Sequence, residues 1–334
     1  MIYIGNKEIS KLYLGGKAVA SAWIGAKKVY PSGSPIPTNN VIEGTLTSPR
    51  NTISVTFNYV DANNSGTTVE MTKDNLNFYL TEYTGETLTS LKRAFNNRYM
   101  MASLTKFDLD TSNVTTMNNM FHGCNGNESI IDVSLMDTSN VTDMSYMFNY
   151  CSHVKELKYN LNTSKVTDMT SMFQNCSEVK TLDVSNFDTS KVTNMGSMFS
   201  GCSGLTSLDV SNFDTSKVTN MGFMFDGCSS LTSLDLTSFN LISLSYAFDE
   251  NTFNCPYVTD FRVSSKFFNA SDNITKYDLS KLTNWTNAYS LVTFVEALPQ
   301  LDGTTKTVKL SANTKNALTD NQKTTISNKG WTIA

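Results

Sequence analysis

Six cysteines carry the most reactive side chains of the chain: Cys124, Cys151, Cys176, Cys202, Cys228 and Cys255. Thiols form disulfides, hold metals, or act as nucleophiles beside a base. Their intervals of 27, 25, 26, 26 and 27 residues fit none of these, and no C-x-x-C pair exists. The even spacing reads instead as one thiol per structural repeat, reduced and buried as a small apolar residue. His122 and His153, the only histidines, stand beside repeat cysteines. His122 and Cys124 have the types of a base and a nucleophile, but no other copy repeats the pair. With no G-x-S-x-G, H-E-x-x-H, phosphate loop or dinucleotide fingerprint in the sequence, the expectation is a non-enzyme without metal or cofactor.

The element that positions the cysteines is a repeated phrase. From Asp188 the chain reads D-T-S-K-V-T-N-M-G-S-M-F-S-G-C-S-G-L-T-S-L-D-V-S-N-F, and Asp214 restarts it. A period near 26 lies within the range of about 20–29 residues seen in leucine-rich repeats. Val192, Met195, Met198, Phe199 and Cys202 fall on one face of a helix if helical. Ser190 is placed to cap that helix and Gly201 to end it in a left-handed conformation. Gly123, Asn175 and Gly227 share the place of Gly201, and Tyr150 departs from it. Leu205, Leu208, Val210 and Phe213 then suggest a short strand. Phe121, Phe148, Phe173, Phe199 and Phe225 join the first five cysteines as a core ladder, with Phe95, Phe248 and Phe268 in decayed copies.

With Leu208 and Val210 inward, the residue between them points outward. The equivalent positions are Asp132, Lys158, Asp183, Asp209, Asp235, Arg262 and Asp278. This exposed column is the candidate binding face. A run of carboxylates suits Ca²⁺, but Lys158 and Arg262 interrupt it, and a solvated acidic stripe is the expectation. It holds no aromatic residue. Tyr146 and Phe223 replace small residues in the preceding segment, and Trp285 with Tyr289 forms another candidate patch; packing roles are expected for all four.

The phrase M-F-x-x-C-x-x-L-x-x-L-D, preceded by F-D-T-S-x-V-T-x-M, resembles the BspA-like leucine-rich repeats of gut and oral bacterial surface proteins and mycoplasma lipoproteins. The resemblance covers residues 88–284. It implies an α/β repeat solenoid and a surface-binding role, and it implies no enzyme.

Outside the array, I-Y-I-G-N-K, L-Y-L-G-G-K and A-W-I-G-A-K recur every ten residues. Tyr3, Tyr13 and Trp23 precede Gly5, Gly15 and Gly25, a pattern of short strands and tight turns. Thirty residues of such strands bury little alone, so residues 1–30 are expected to act as an all-β anchor on another chain. The triplet is similar to N-terminal segments of gut bacteriophage tail and fibre proteins. Residues 31–40, with three prolines, read as a linker. Residues 41–87 read as a β cap, with strands at Ile53–Val60, Thr67–Met71 and Leu76–Tyr83. Residues 285–334 read as a C-terminal cap with a strand at Thr307–Leu310, a helix over Asn313–Ser327 and a last strand at Gly330–Ile333, Trp331 closing the core.

A net charge of −4 and a charged fraction of 17% offer no basic tract for nucleic acid, and no apolar run spans a membrane. The opening residues lack the pattern of a signal peptide, and no nearby cysteine could carry a lipid. Together these lead to an expected bacteriophage virion surface protein, a fibre or decoration made in the host cytoplasm. It would attach to other virion proteins through residues 1–30, oligomerise, with a trimer favoured, and present the array to a host surface glycan or protein. The alternatives are a bacterial cell-surface adhesin and a purely structural virion protein.

Overall fold

The computed structural model describes residues 90–93, 111–124, 130–134, 136–245, 251–268, 274–303 and 305–334 in full. Before residue 90 it describes the backbone of nine strands. β1 (Ile2–Ile4) with β2 (Lys7–Ile9), β3 (Tyr13–Leu14) with β4 (Lys17–Ala18), and β5 (Ala22–Ile24) with β6 (Lys27–Val29) form three antiparallel hairpins. Tyr3, Tyr13 and Trp23 lie on their first strands; Gly5, Gly15 and Gly25 lie outside the described residues. β7 (Gly44–Thr47), β8 (Ile53–Phe57) and β9 (Thr67–Met71) make an antiparallel sheet, with β8 central. The strand expected at Leu76–Tyr83 lies outside the described residues.

The helix expected over Val192–Cys202 is not formed. Residues 196–201 are a run of turns, with Ser197 at φ 57° and Gly201 at φ 70°. Backbone donors alternate between two directions. Met198, Ser200 and Cys202 donate to Met195, Ser197 and Phe199 within the unit, at 3.1–3.2 Å. Met195, Ser197, Phe199 and Gly201 donate to Asn220, Gly222, Met224 and Asp226 of the next unit, at 2.6–3.0 Å. A helix satisfies all its interior donors locally; here half are spent on joining neighbours, and the two left-handed residues aim them outward. The helical spacing of Val, Met, Phe and Cys therefore arises from a turn that returns the same side to the core. Without a helix there is no end to cap, and the Ser190 amide instead donates to Asp188 Oδ1 at 3.0 Å.

Stacking is parallel, through bridges linking Ser90, Thr116, Asp143, Asp168, Asn194 and Asn220 in turn. β10 (Ile130–Asp132) pairs in parallel with β11 (Glu156–Lys158), and β12 (Ser233–Leu236) with β13 (Asp260–Val263). Leu182, Val184, Leu208 and Val210 between them keep the alternating burial of a strand.

Inside, Phe121, Phe148, Phe173, Phe199, Phe225 and Phe253 form one file of rings. Successive centroids lie 5.6–5.9 Å apart and planes differ by 4–19°. Phe253 therefore continues the file where the sequence suggested Phe248, which lies with Phe95 outside the described residues. A second file was not foreseen. Thr111, Thr138, Thr163, Thr189 and Thr215 are at most 1% exposed. Each hydroxyl donates to a carbonyl of the next unit at 2.9–3.1 Å. From Thr138 to Thr215, each also accepts the N–H of that same residue at 2.7–2.8 Å.

The C-terminal segment brings α1 (Ala288–Ala297), β14 (Lys276–Leu279), β15 (Lys306–Leu310), α2 (Ala312–Ala317), α3 (Asp320–Asn328) and β16 (Trp331–Ile333). β14, β15 and β16 form a parallel sheet in that order. The single helix expected over Asn313–Ser327 is two. Leu318 turns to extended backbone, and Thr319 starts a new helix through a capping box with Gln322. Trp331 is buried against Phe268 and Tyr277, its Nε1 donating to Pro299 O at 2.9 Å. Among the described residues no helix is long and apolar enough to cross a membrane.

Candidate binding surfaces

The strand column does not present seven free side chains. Lys158, Asp183, Asp209 and Asp235 are exposed and Arg262 partly so, whereas Asp132 and Asp278 are 7% and 2% exposed. The two buried carboxylates each bind the amide and hydroxyl of the serine two residues on. Asp132 Oδ1 accepts the amide and hydroxyl of Ser134 at 3.1 and 2.7 Å. The exposed members do the same: Asp183 accepts from Ser185, Asp209 from Ser211 and Asp235 from Thr237. Hydrogen bonds from Ser185 and Ser211 hold the Asp183 and Asp209 carboxyls below the usual range. These aspartates close turns. Lys158 lies across from Asp132 and Arg262 across from Asp235, so the residues that interrupt the acidic stripe sit opposite its acids. Among the described residues no three His, Cys, Asp or Glu gather as metal ligands.

Arg262 is bound to Asp260 through Nε at 3.1 Å and Nη2 at 2.6 Å, and its guanidinium lies 5.5 Å from the Tyr289 ring. Tyr289 is 65% exposed, while Trp285 is wholly buried with Nε1 donating to Ser290 Oγ. The two therefore do not form one patch.

The turn face differs more from expectation. Two left-handed residues recur in each unit. One series is Arg93, Asn119, Tyr146, Ser171, Ser197 and Phe223; the other is Gly123, Tyr150, Asn175, Gly201 and Gly227. Left-handed backbone suits Gly and Asn and is unfavourable for bulky side chains. Tyr146, Tyr150 and Phe223 nevertheless occupy it, and these residues are 37, 50 and 42% exposed. Packing roles were expected for Tyr146 and Phe223; the outward turn leaves both open to solvent. Tyr150 was visible in the sequence only as a departure from Gly or Asn. His122 meets the Tyr150 ring edge-on at 5.7 Å.

A protein-family profile described as "Mycoplasma protein of unknown function, DUF285" matches residues 67–182 and, again, 154–260. Together the matches span more than half of the chain. The chain belongs to the DUF285 family. This agrees with the mycoplasma side of the repeat resemblance; residues 1–66 lie outside both matches. No curated protein and no solved structure matches the chain.

The cysteines of this DUF285 chain are spent on the stack. All six are free and buried. From Cys151 onward each Sγ donates to a Phe carbonyl one unit back, at 3.0–3.2 Å. Burial, together with the neighbouring thiols, pushes Cys151 and Cys202 well above the ordinary thiol range. Burial lowers the His122 pKa from its ordinary 6.5, Asn149 works to raise it, and the Arg93 charge lowers it further. A neutral thiol is a poor nucleophile. The six thiols are therefore expected to resist a colourimetric disulfide reagent in the folded protein at pH 8. All six should react together once it unfolds; fast labelling of any one under native conditions would contradict this.

In the C-terminal sheet of the same chain, Asp278 is a carboxylate shielded from water. Its Oδ2 lies 3.3 and 3.1 Å from Lys276 Nζ and Lys309 Nζ, and its Oδ1 accepts the Ser280 amide and hydroxyl. Burial works to raise the pKa, but hydrogen bonds from Ser280 and the lysines outweigh it and hold the group below its ordinary 3.8. A depressed carboxylate adds stability above its unfolded pKa and loses it as pH falls through the folded value. Asp278→Asn should cost about 1–2 kcal/mol at pH 7, the lysines being partly solvated. Urea titration should find the gap to the parent shrinking below about pH 4. A gap that does not change with pH would exclude the charge as its source.

Proposed function

We propose that the chain is a non-enzymatic virion surface protein, a fibre or decoration of a bacteriophage, whose α/β leucine-rich-repeat solenoid contacts a host surface. Residues 1–30 attach it to other virion proteins, and a trimer multiplies weak sites into avidity. The observation that carries this reading is the division of each unit. Val, Met, Phe, Cys and Leu recur at the same buried places in copy after copy. The left-handed place changes from Asn119 to Tyr146, Ser171, Ser197 and Phe223, and the two aromatic residues there are exposed. A constant scaffold with a changing surface serves recognition. Three Gly-x-Lys hairpins at ten-residue intervals support an attachment role for the first thirty residues.

The test is to delete residues 1–35 and measure incorporation into particles. The reading expects loss of incorporation with the thermal transition of the array retained. Normal incorporation would overturn the anchor. The mycoplasma description of the matching family suits a bacterial origin, and the second reading is a bacterial cell-surface adhesin. Recovery of the chain from cell-envelope fractions without phage induction would establish that one instead. Particles that incorporate the chain but whose purified array binds no host cells would reduce it to a structural component.

A further inference from the structure

We propose that Tyr146 and Tyr150, with His122 and Arg93, form a site on the turn face for a sugar that carries a carboxylate. The proposal rests on the surface-binding reading above and places its recognition away from the strand column. Three observations meet at this place.

The first is uncompensated strain. Tyr146 at φ 59° and Tyr150 at φ 57° hold aromatic residues in left-handed backbone. Neighbouring units fill the same places with Asn119, Gly123 and Asn175, which tolerate it better, and with the small Ser171. A bulky residue in such a place is usually repaid by packing, yet both rings are open to solvent. Strain retained where only part of the side chain is covered points to function.

The second is polar capacity beside the rings. Asn149 is 1% exposed, and its Oδ1 and the Nδ1 of His122 are buried with no closed hydrogen bond. An imidazole with its proton on Nδ1 offers Nε2 as an acceptor for a hydroxyl, and the His122 ring meets Tyr150 edge-on.

The third is charge. Arg93 is exposed and makes no ion pair among the described residues. It lies close enough to His122 to oppose its protonation. Arg93 occupies the left-handed place two units before Tyr146, an offset of about 10 Å at strand spacing. A sugar ring presents polarised C–H groups to the negative face of a tyrosine. A carboxylate on the same or the next sugar then pairs with the guanidinium. A neutral sugar leaves Arg93 unused, and a bare carboxylate leaves the rings unused.

The test uses the full-length protein in titration calorimetry with oligogalacturonate and sialyllactose as acidic probes. Lactose and maltopentaose serve as neutral controls, and polyglutamate as a peptide control. At least one acidic sugar should bind at least tenfold more tightly than the controls. The double variant Tyr146→Asn, Tyr150→Gly should lose at least tenfold in affinity without a fall in Tm, because its new residues suit left-handed backbone. Arg93→Gln should lower affinity for the acidic sugar and leave neutral sugars unchanged. A marked fall in Tm of the double variant would overturn the proposal by making the rings packing elements. So would unaltered sugar binding by that variant, or tyrosine-dependent polyglutamate binding of equal strength. If no sugar binds while the parent still binds host cells, the site falls and the surface-binding reading stands. If neither binds, both fall.

Discussion

Phe199→Ala is expected to lower the unfolding free energy by about 4 kcal/mol, read from the midpoint and slope of a urea titration. Phe199 is fully buried between Phe173 and Phe225, with both centroids at 5.9 Å and planes within 4 and 15°. Truncation removes both stacking contacts and leaves a cavity. The cavity has little freedom to collapse, because the Phe199 amide is bonded to Met224 O and the Phe199 carbonyl accepts from Cys202 N and Cys228 Sγ. In a stacked array, stability is close to a sum of units and the interfaces between neighbours. The substitution damages two interfaces at once, so it should also broaden or split the transition as the two sides uncouple. Phe199→Leu, which refills most of the volume, should cost about 1–2 kcal/mol and keep a single transition. Equal losses for Ala and Leu would mean that the ring does not fill a closed space.

The unequal legibility of this chain follows from what repetition encodes. Phe121 to Phe225 and the cysteines were readable as core because an apolar residue returning at the same place must face the same way. Periodicity does not report which backbone brings it there. Val192, Met195, Phe199 and Cys202 satisfy a helical wheel, and they satisfy equally a run of turns whose amides reach to the next unit. The distinction lay in Ser197 and Gly201, since two left-handed residues four apart are incompatible with a helix. Ser197 gave no hint of its conformation. The strand column was legible as alternation, yet alternation cannot say that Asp132 and Asp278 are buried while Asp183, Asp209 and Asp235 stay exposed. Phe253 was missed because it stands two residues before Cys255, where each earlier ring stands three before its cysteine. Tyr150 was legible only as an exception, and its exposure depends on a backbone direction that the sequence pattern did not supply.

The threonine file is where repetition carried information that apolar pattern cannot, and its removal is expected to have the second large effect on stability. Thr189 is 1% exposed; its hydroxyl donates to Asp214 O at 3.0 Å and accepts from Asp214 N at 2.7 Å. One hydroxyl thus satisfies both backbone groups of a single residue in the adjoining unit. Thr189→Val keeps the shape and deletes the oxygen, leaving that N–H and C=O without their partner. The cost should be about 2–3 kcal/mol, since each orphaned buried group costs about 1–3 and the Asp214 side is open enough for water to recover part of it. Thr189→Ser keeps the oxygen and loses a methyl, at about 1 kcal/mol. The order is the test: apolar transfer alone makes Val the milder change, while hydrogen bonding between units makes Ser the milder one. Hydrogen exchange supplies the second reading, because the Asp214 amide should lose protection in the Val variant and keep it in the Ser variant. A Val variant as stable as the parent would show that the ring file alone joins the units.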